Sequence, residues 1–177
     1  MGKFIKGKLY KDLKEYGRGV DIIKKDTPIA LRPLLKQLLI DVILDSSTKN
    51  ISASIEKAKK KLYELQYHDL LITKQISREL DEYKVLPQHV KAMKYSNTHL
   101  NTNFSRMNYK GGLLHVKIKE SKYPFTDCIM LTEDMELPRE FEVDYNKYFE
   151  LFIKNKFCLF LDKLKAILNK NMTLDIF

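Results

Sequence analysis

Apolar residues recur at helical spacing along three long stretches of the chain, and each of these stretches predicts a helix. The first stretch, "IALRPLLKQLLIDVIL", begins at Ile29 and has a wide leucine-rich face, which is typical of a buried helix. Asp26 or Thr27 can cap this helix, and Pro28 falls in its first turn, where a proline is tolerated. The residues expected on the buried face are Leu31, Leu34, Leu35, Leu38, Leu39 and Val42.

The second stretch, "SIEKAKKKLYELQ", predicts a shorter helix for which Ser52 can provide the cap. Lysines separate its apolar positions, and a solvated helix face is the expected structure of those lysines. The inward-facing positions are predicted to be Ile55, Ala58, Leu62 and Leu65. The lysines expected to face elsewhere are Lys57, Lys59, Lys60 and Lys61.

The third stretch, "YNKYFELFIKNKFCLFLDKLKAILN", follows Asp144, which can cap it. Large apolar and aromatic side chains recur along it at helical spacing, so we expect this stripe to belong to the core rather than to a cofactor site. The stripe consists of Phe149, Ile153, Phe157, Phe160, Leu164 and Ile167.

Shorter elements lie between the second and third helices. "LLIT", residues 70–73, is an apolar run consistent with a buried strand, and "LLHVKIK" predicts a strand with Val116 and Ile118 on one face. "SRELDEY" predicts a helical turn or two, and Pro87 begins a short helix that extends to Tyr95. "SNTHLNTNFS" and the acidic "EDMELPREFEVD" read as loops. The predicted fold is mainly α with a few short β-strands (α+β), without internal repeats.

Charge is distributed unevenly along the chain, whose net charge is +9. Between Lys84 and Lys122 there are eight lysines and arginines and one acid, Glu120. Between Thr126 and Glu150 there are eight acids and two bases. A uniformly solvated surface would mix the two signs. The segregation therefore favours an anionic partner for the basic section, with nucleic acid ahead of membrane.

The remaining composition excludes several classes of protein. No apolar run approaches the roughly 18 residues of a membrane-spanning helix, and no signal peptide opens the chain, so we expect a soluble intracellular protein. Cys128 and Cys158 are too few for a disulfide framework and are expected to be buried or half-buried thiols. The four histidines lack the spacing of metal ligands, so no metal site is predicted.

Catalytic motifs are not found along the sequence. Gly111 and Gly112 form an isolated pair rather than a glycine-rich phosphate loop, and no Ser/His/Asp or Cys/His signature occurs. No pair of carboxylates follows a strand in the way that a Mg²⁺ site requires, and the acids of "EDMELPREFE" read as a solvated loop. The chain by itself is therefore not expected to be an enzyme.

Several short segments follow one another in a recognisable order. These are "GVDIIKKD", the leucine-rich helix, "DLLITKQIS", "EYK", "LPQHVKAMK" and "VDYNKYFELFIKNKF". In their order and spacing they resemble the thumb of a family-B DNA-directed DNA polymerase, over nearly the whole chain. The matching residues are Gly19, Val20, Asp21, Lys24, Lys25, Asp26, Leu71 to Lys74, Tyr83, Pro87, His89, Val90, Asp144, Tyr145 and Tyr148. The chain departs from the family pattern in having Lys-Lys where Arg-Arg is commoner, and Gly111-Gly112 where a Gly-Asp turn precedes the late strand.

The resemblance implies a division into a palm-to-thumb junction at 1–26, a helical thumb domain at 27–169 and a C-terminal tail at 170–177. The metal-binding aspartates, the nucleotide-binding helix and the exonuclease of such polymerases precede the thumb and lie outside this sequence. Mg²⁺ is thus implied for the complete polymerase (a nucleotidyltransferase), and no cofactor is expected in this chain. The Asn-, Lys- and Ile-rich composition suggests a large DNA virus, with replication in a host nucleus or a viral factory.

In this family the thumb holds the primer-template duplex by phosphate contacts that do not read the bases. The implied partners are that duplex and the rest of the polymerase: palm, fingers and exonuclease. The residues expected to bind DNA are Arg18, Lys24, Lys25, Lys74, Tyr83, His89, Lys91, Lys94, Arg106 and Lys110. The tail "NMTLDIF" resembles a peptide that binds a sliding clamp, through Leu174 and Phe177, and a frayed hydrophobic terminus explains it equally well.

Two other functions are compatible with the sequence. One is a free-standing DNA-binding replication accessory protein, which the neighbouring gene sequence would distinguish from a polymerase fragment. The other is a helical interaction module whose acidic and basic sections pair with each other or with a protein. For each predicted lysine, the alternative to a phosphate contact is an ordinary solvated side chain, and His89 can equally cap and pack against its own helix.

Overall fold

The computed structural model describes residues 26–45, 47–106, 111–118, 127–155 and 157–158. The chain divides into two compact units. The first comprises Met1–Leu65 and Tyr148–Phe177, and the second comprises Gln66–Lys147. Helices accompany one small antiparallel sheet in the described part of the chain, so the fold is α+β, as predicted. None of the helices described is both long and apolar enough to cross a bilayer.

In the first unit, helices α1 (Leu31–Leu44) and α2 (Thr48–Tyr63) pack against each other. The buried face of α1 is the predicted one except at Leu34, which is half-buried. Pro33 does not interrupt this helix, because a proline in the first turn removes no intrahelical hydrogen bond. Helical periodicity therefore located this element and its inward side correctly.

The start of α2 differs from the prediction. Ser47, rather than Ser52, is the cap, and its hydroxyl accepts a 3.3 Å hydrogen bond from the backbone N–H of Asn50. Ser52 lies inside the helix because the three polar residues 48–50 already have helical geometry, and Ile51, which the predicted pattern omits, is buried. The inward positions of the helix are confirmed by burial of Ile55, Ala58 and Leu62, whereas Leu65 lies beyond the helix and is half-buried.

The lysines of α2 are solvated, as expected, with one exception. Lys57, Lys60 and Lys61 are exposed. Lys59 is half-buried, and its ammonium lies 5.3 Å from the centre of the Phe149 ring. A cation over an aromatic face at this distance is attracted by the ring. Lys59 therefore connects α2 to the last described helical segment of the same unit.

The final helical stretch begins with α4 (Tyr145–Tyr148) and continues as a π-helix over Phe149–Lys154. Asp144 caps it as predicted, since its carboxylate accepts a 3.0 Å hydrogen bond from the N–H of Lys147. Ile153 and Phe157 are buried, whereas Phe149 is half-buried. Tyr148 and Phe152, which the predicted stripe omits, are buried and stacked with ring centres 5.9 Å apart. The predicted stripe assumed α-helical spacing, which the π-helix from Phe149 onwards does not keep. Phe160, Leu164 and Ile167 lie outside the described residues.

The second unit is built around a three-stranded antiparallel sheet in the order β2-β1-β3. The central strand β1 (Gly112–Ile118) was predicted, with Val116 buried and Ile118 half-buried. The two outer strands were not predicted. β2 (Cys128–Leu131) is buried at every position, and β3 (Phe141–Val143) lies in a segment predicted as an acidic loop. The prediction was wrong there because pairing with β1, rather than local pattern, defines both strands.

Helix α3 (Gln88–His99) begins after Pro87, as predicted, and extends four residues beyond Tyr95. Its inward side consists of Val90, Ala92, Met93 and Ser96. The hydroxyl of Ser96 accepts a 2.9 Å hydrogen bond from the backbone N–H of Met130. This hydrogen bond connects α3 to β2. The predicted loop is thus helical up to His99 and irregular only afterwards.

Segments before α3 are less regular than predicted. Of the expected strand at residues 70–73, only Ile72 pairs, in an isolated bridge to Leu113, because Leu70 ends the 3₁₀-helix Tyr67–Leu70. The predicted helical turn in "SRELDEY" is confirmed as the 3₁₀-helix Leu80–Glu82. Both cysteines are thiols outside any disulfide, with Cys128 buried and Cys158 half-buried, as expected.

A buried histidine lies at the centre of this sheet. His115 is 3% exposed and pairs with Cys128 across β1 and β2. Burial lowers the pKa of its imidazole below the ordinary 6.5, against the opposing effect of two nearby carboxylates. The charged groups that act on it are Asp127, Asp144, Lys147 and Lys74.

The second unit should therefore lose stability as the pH falls below about 6.5. In that range the unfolded chain binds a proton at His115 that the folded chain does not, which favours unfolding; above it the imidazole is neutral in both states. The urea midpoint read from amide resonances of β1 should decrease between about pH 7.5 and pH 5. His115→Leu should reduce this decrease, and His68→Gln, at an exposed position, should not. An unchanged pH dependence in His115→Leu would assign the effect to other groups.

Candidate nucleic-acid interface

Six of the residues predicted to bind DNA lie in described parts of the second unit: Lys74, Tyr83, His89, Lys91, Lys94 and Arg106. The other four, and both residues of the predicted clamp-binding peptide, lie outside the described residues: Arg18, Lys24, Lys25, Lys110, Leu174 and Phe177. The candidate surface is therefore defined by α3 and the segments on either side of it in sequence.

Helix α3 presents Lys91 and Lys94 away from its buried side. Residues three apart on a helix are neighbours on its surface, so the two ammonium groups belong to one face. Lys91 is exposed and makes no ion pair with any described residue. Lys94 is less accessible, with 37% of its side chain exposed. The side chains opposite them are packed into the unit, so the backbone that carries both lysines is held in place.

The turn that precedes α3 contacts this face directly. The ammonium of Lys94 donates a 3.1 Å hydrogen bond to the carboxylate of Asp81, whose side chain is fully exposed. Two residues later, the phenol oxygen of Tyr83 accepts a 3.1 Å hydrogen bond from the backbone N–H of Ser77. Asp81 and Tyr83 thus lie in one segment, which contacts α3 through Lys94.

Of the other three predicted residues, only His89 belongs to α3. His89 is half-buried in the first turn of α3, and Lys74 is half-buried two residues after the Ile72 bridge. Arg106 is exposed and follows a loop whose Phe104 is hydrogen-bonded through both N–H and C=O to the side chain of Asn97, near the other end of α3. A helix of 12 residues is about 18 Å long. This length matches about five phosphates along one strand of B-DNA.

Acidic groups share this surface, which the charge count along the sequence did not indicate. The count began at Lys84, immediately after three exposed acids: Glu79, Asp81 and Glu82. Asp127, at the beginning of the acidic section, accepts a 2.9 Å hydrogen bond from the side chain of Gln88 at the start of α3. Asp144 lies 3.6 Å from Lys117. Strand pairing in the sheet therefore brings the acidic section into contact with the basic section. Part of the positive charge is paired with carboxylates of the same unit.

Asp81 should compete with DNA for Lys94. We expect Asp81→Asn to strengthen duplex binding about 2- to 5-fold, which corresponds to the worth of an exposed ion pair. Glu79→Gln removes the same charge from an exposed neighbour that makes no ion pair with any described residue, and it should have a smaller effect. Fluorescence anisotropy with a labelled duplex measures both. Equal effects of the two substitutions would mean that Asp81 acts only through the net charge of the surface.

The groups collected on this surface are hydrogen-bond donors, positive charges and a phenol, together with the exposed carboxylates of Glu79, Asp81 and Glu82. No cluster of three or more histidine, cysteine, aspartate or glutamate side chains able to hold a metal occurs among the residues that the structure describes. The arrangement can bind an anion with repeated charges.

No protein-family model matches the chain, and no curated protein matches it at a significant level.

Proposed function

We propose that the chain is the thumb of a family-B DNA polymerase and that it holds the primer-template duplex through phosphate contacts. The observation that carries this proposal is the outer face of α3. It presents Lys91 and Lys94 from a helix whose opposite side is fixed by buried packing and by the Ser96 hydrogen bond to β2. The order of sequence segments that resemble such a thumb supports the same function.

The expected mechanism is electrostatic and independent of base sequence. Lysine and arginine neutralise phosphates and release the counterions condensed on the duplex, and this release drives binding. Contacts to the backbone hold the protein on the duplex without reading the bases. Lys74, Lys91, Lys94 and Arg106 are assigned to this role, with His89 as a further donor at the start of α3. Catalysis, with its Mg²⁺, belongs to the palm, so the chain by itself binds DNA without extending it.

Binding of the 177-residue chain to a primer-template duplex across a salt series tests this function. The logarithm of the affinity should fall linearly with the logarithm of salt concentration, by about 0.9 for each phosphate contact. Two duplexes of unrelated sequence should bind equally well. Failure of a folded chain to bind duplex at low salt would contradict autonomous DNA binding.

The internal ion pairs favour a second candidate, a protein-interaction module. Lys94 and Lys117 are each paired with a carboxylate of the same unit, at 3.1 and 3.6 Å. If most of the basic side chains were used in this way, little charge would remain for a duplex. The salt series separates the two candidates, because an interaction module would show no linear dependence of DNA affinity on salt.

A further inference from the structure

The segment Ser77–Tyr83 closes on itself through the phenol oxygen of Tyr83. This oxygen accepts a hydrogen bond from the backbone N–H of Ser77 at 3.1 Å and lies 3.3 Å from the Ser77 hydroxyl. The Ser77 hydroxyl, followed by the Ser77 N–H and the neighbouring Arg78, lowers the pKa of the phenol from its ordinary 10.0, against the opposing effect of burial. These groups therefore favour negative charge at the position of the phenol oxygen.

A neutral phenol is not the ligand that such donors bind best. The backbone N–H and the hydroxyl of Ser77 meet at one point, and hydrogen bonds to an ionised oxygen are roughly twice as strong as those between neutral groups. Ser77 and Arg78 are both exposed, whereas Tyr83 is half-buried. A phosphate oxygen arriving from solvent can reach the same donors.

We propose that the N–H and hydroxyl of Ser77, with the side chain of Arg78, form a phosphate-binding site that the Tyr83 hydroxyl occupies in the free protein. Phosphate binding then displaces the phenol. Tyr83 is, in this arrangement, an occupant of the site rather than a ligand of the phosphate. The sequence resemblance had placed Tyr83 among the DNA-binding residues and had assigned no role to Ser77 or Arg78.

The position of the site indicates where the phosphate comes from. The Asp81–Lys94 contact places the segment beside α3, and three exposed acids, Glu79, Asp81 and Glu82, follow the donors in the same segment. These carboxylates repel an isolated phosphate ion. A phosphate that belongs to a duplex is held near the site by the contacts of that duplex with Lys91 and Lys94, and these contacts offset the repulsion. The duplex backbone is therefore the favoured source of the phosphate. That choice of source rests on the proposed function.

Removing the phenol oxygen tests the site, because the two roles of Tyr83 predict opposite signs. Tyr83→Phe leaves the donors open and should strengthen duplex binding about 2- to 10-fold, which corresponds to one net hydrogen bond. This gain should vanish when Arg78→Gln is combined with it. Tyr63→Phe, at an exposed tyrosine of the other unit, is the matched control and should change nothing. Unchanged or weaker binding of Tyr83→Phe overturns the proposal.

A second measurement separates this proposal from the proposed function. The amide resonances of Ser77 and Arg78 in the full chain are followed during titration with duplex and, separately, with inorganic phosphate. Saturable shifts with duplex support the site with the duplex backbone as its source. Shifts with inorganic phosphate from a chain that does not bind duplex retain the site, with free phosphate as its ligand, and contradict autonomous duplex binding. Resonances that respond to neither overturn the site, whatever α3 binds.

Discussion

Replacing Lys91 and Lys94 together by glutamate should weaken duplex binding at least about 30-fold, at roughly 1 kcal/mol for each lost charged contact. The effect is large because both side chains project from one face of α3 and the reversed charges repel the phosphates that the lysines attract. The slope of log affinity against log salt should become shallower by about 0.9 for each contact. Lysine and glutamate have similar helix propensities, so α3 should remain intact.

The control for this double substitution is Lys60→Glu with Lys61→Glu. Both of these lysines are exposed near the end of α2, in the other unit, and the change in net charge is the same. Anisotropy titrations at several salt concentrations, on chains with matching circular dichroism, compare the two variants. If both lose affinity equally, DNA binding follows from the basic character of the chain as a whole, and α3 is not the interface.

The long helices could be predicted from the sequence because their pattern is local. The apolar spacing of α1 and α2 determines which side is buried whatever they pack against. Strands β2 and β3 could not be predicted in the same way. Cys128–Leu131 is buried on both faces and shows no alternation, and in β3 only Phe141 points inward between acidic neighbours. Pairing with β1 makes both segments strands, and segments this short carry no sequence pattern of their own that would reveal the pairing.

The candidate interface was predictable in part, for a related reason. Pro87 marks the start of α3, and from that start the spacing of Lys91 and Lys94 follows directly. The acids that meet this surface could not be inferred. Asp81 reaches Lys94 across 13 residues of sequence, and Asp127 reaches Gln88 across 39. A count of charges along the sequence does not show which acidic side chains contact basic ones in the folded protein.

Replacing Gly112 by alanine should destabilise the second unit by about 1–3 kcal/mol, a typical cost of forcing an extra group into a packed site. A β-carbon at this position would lie 2.6 Å from the β-carbon of Leu71 and 3.2 Å from the backbone nitrogen of Ile72. Gly112 is the first residue of β1, where Ile72 and Leu113 exchange two backbone hydrogen bonds of 2.9 Å. The absence of a side chain at Gly112 thus permits the backbone at Leu71 and Ile72 to lie close to the start of β1.

The amides of Ile72 and Leu113 report directly on this contact, because each donates to the other residue. In Gly112→Ala their hydrogen exchange should accelerate, since separation of the segment around Leu71 is the easiest way to make room for the methyl group. Glu142→Ala, at an exposed position of β3, should leave both amides protected. The same separation would release Lys74, which lies two residues after Ile72, so duplex affinity should fall as well. Protected amides and full affinity in Gly112→Ala would mean that Leu71 moves aside without cost, and that the approach of these backbones does not require glycine.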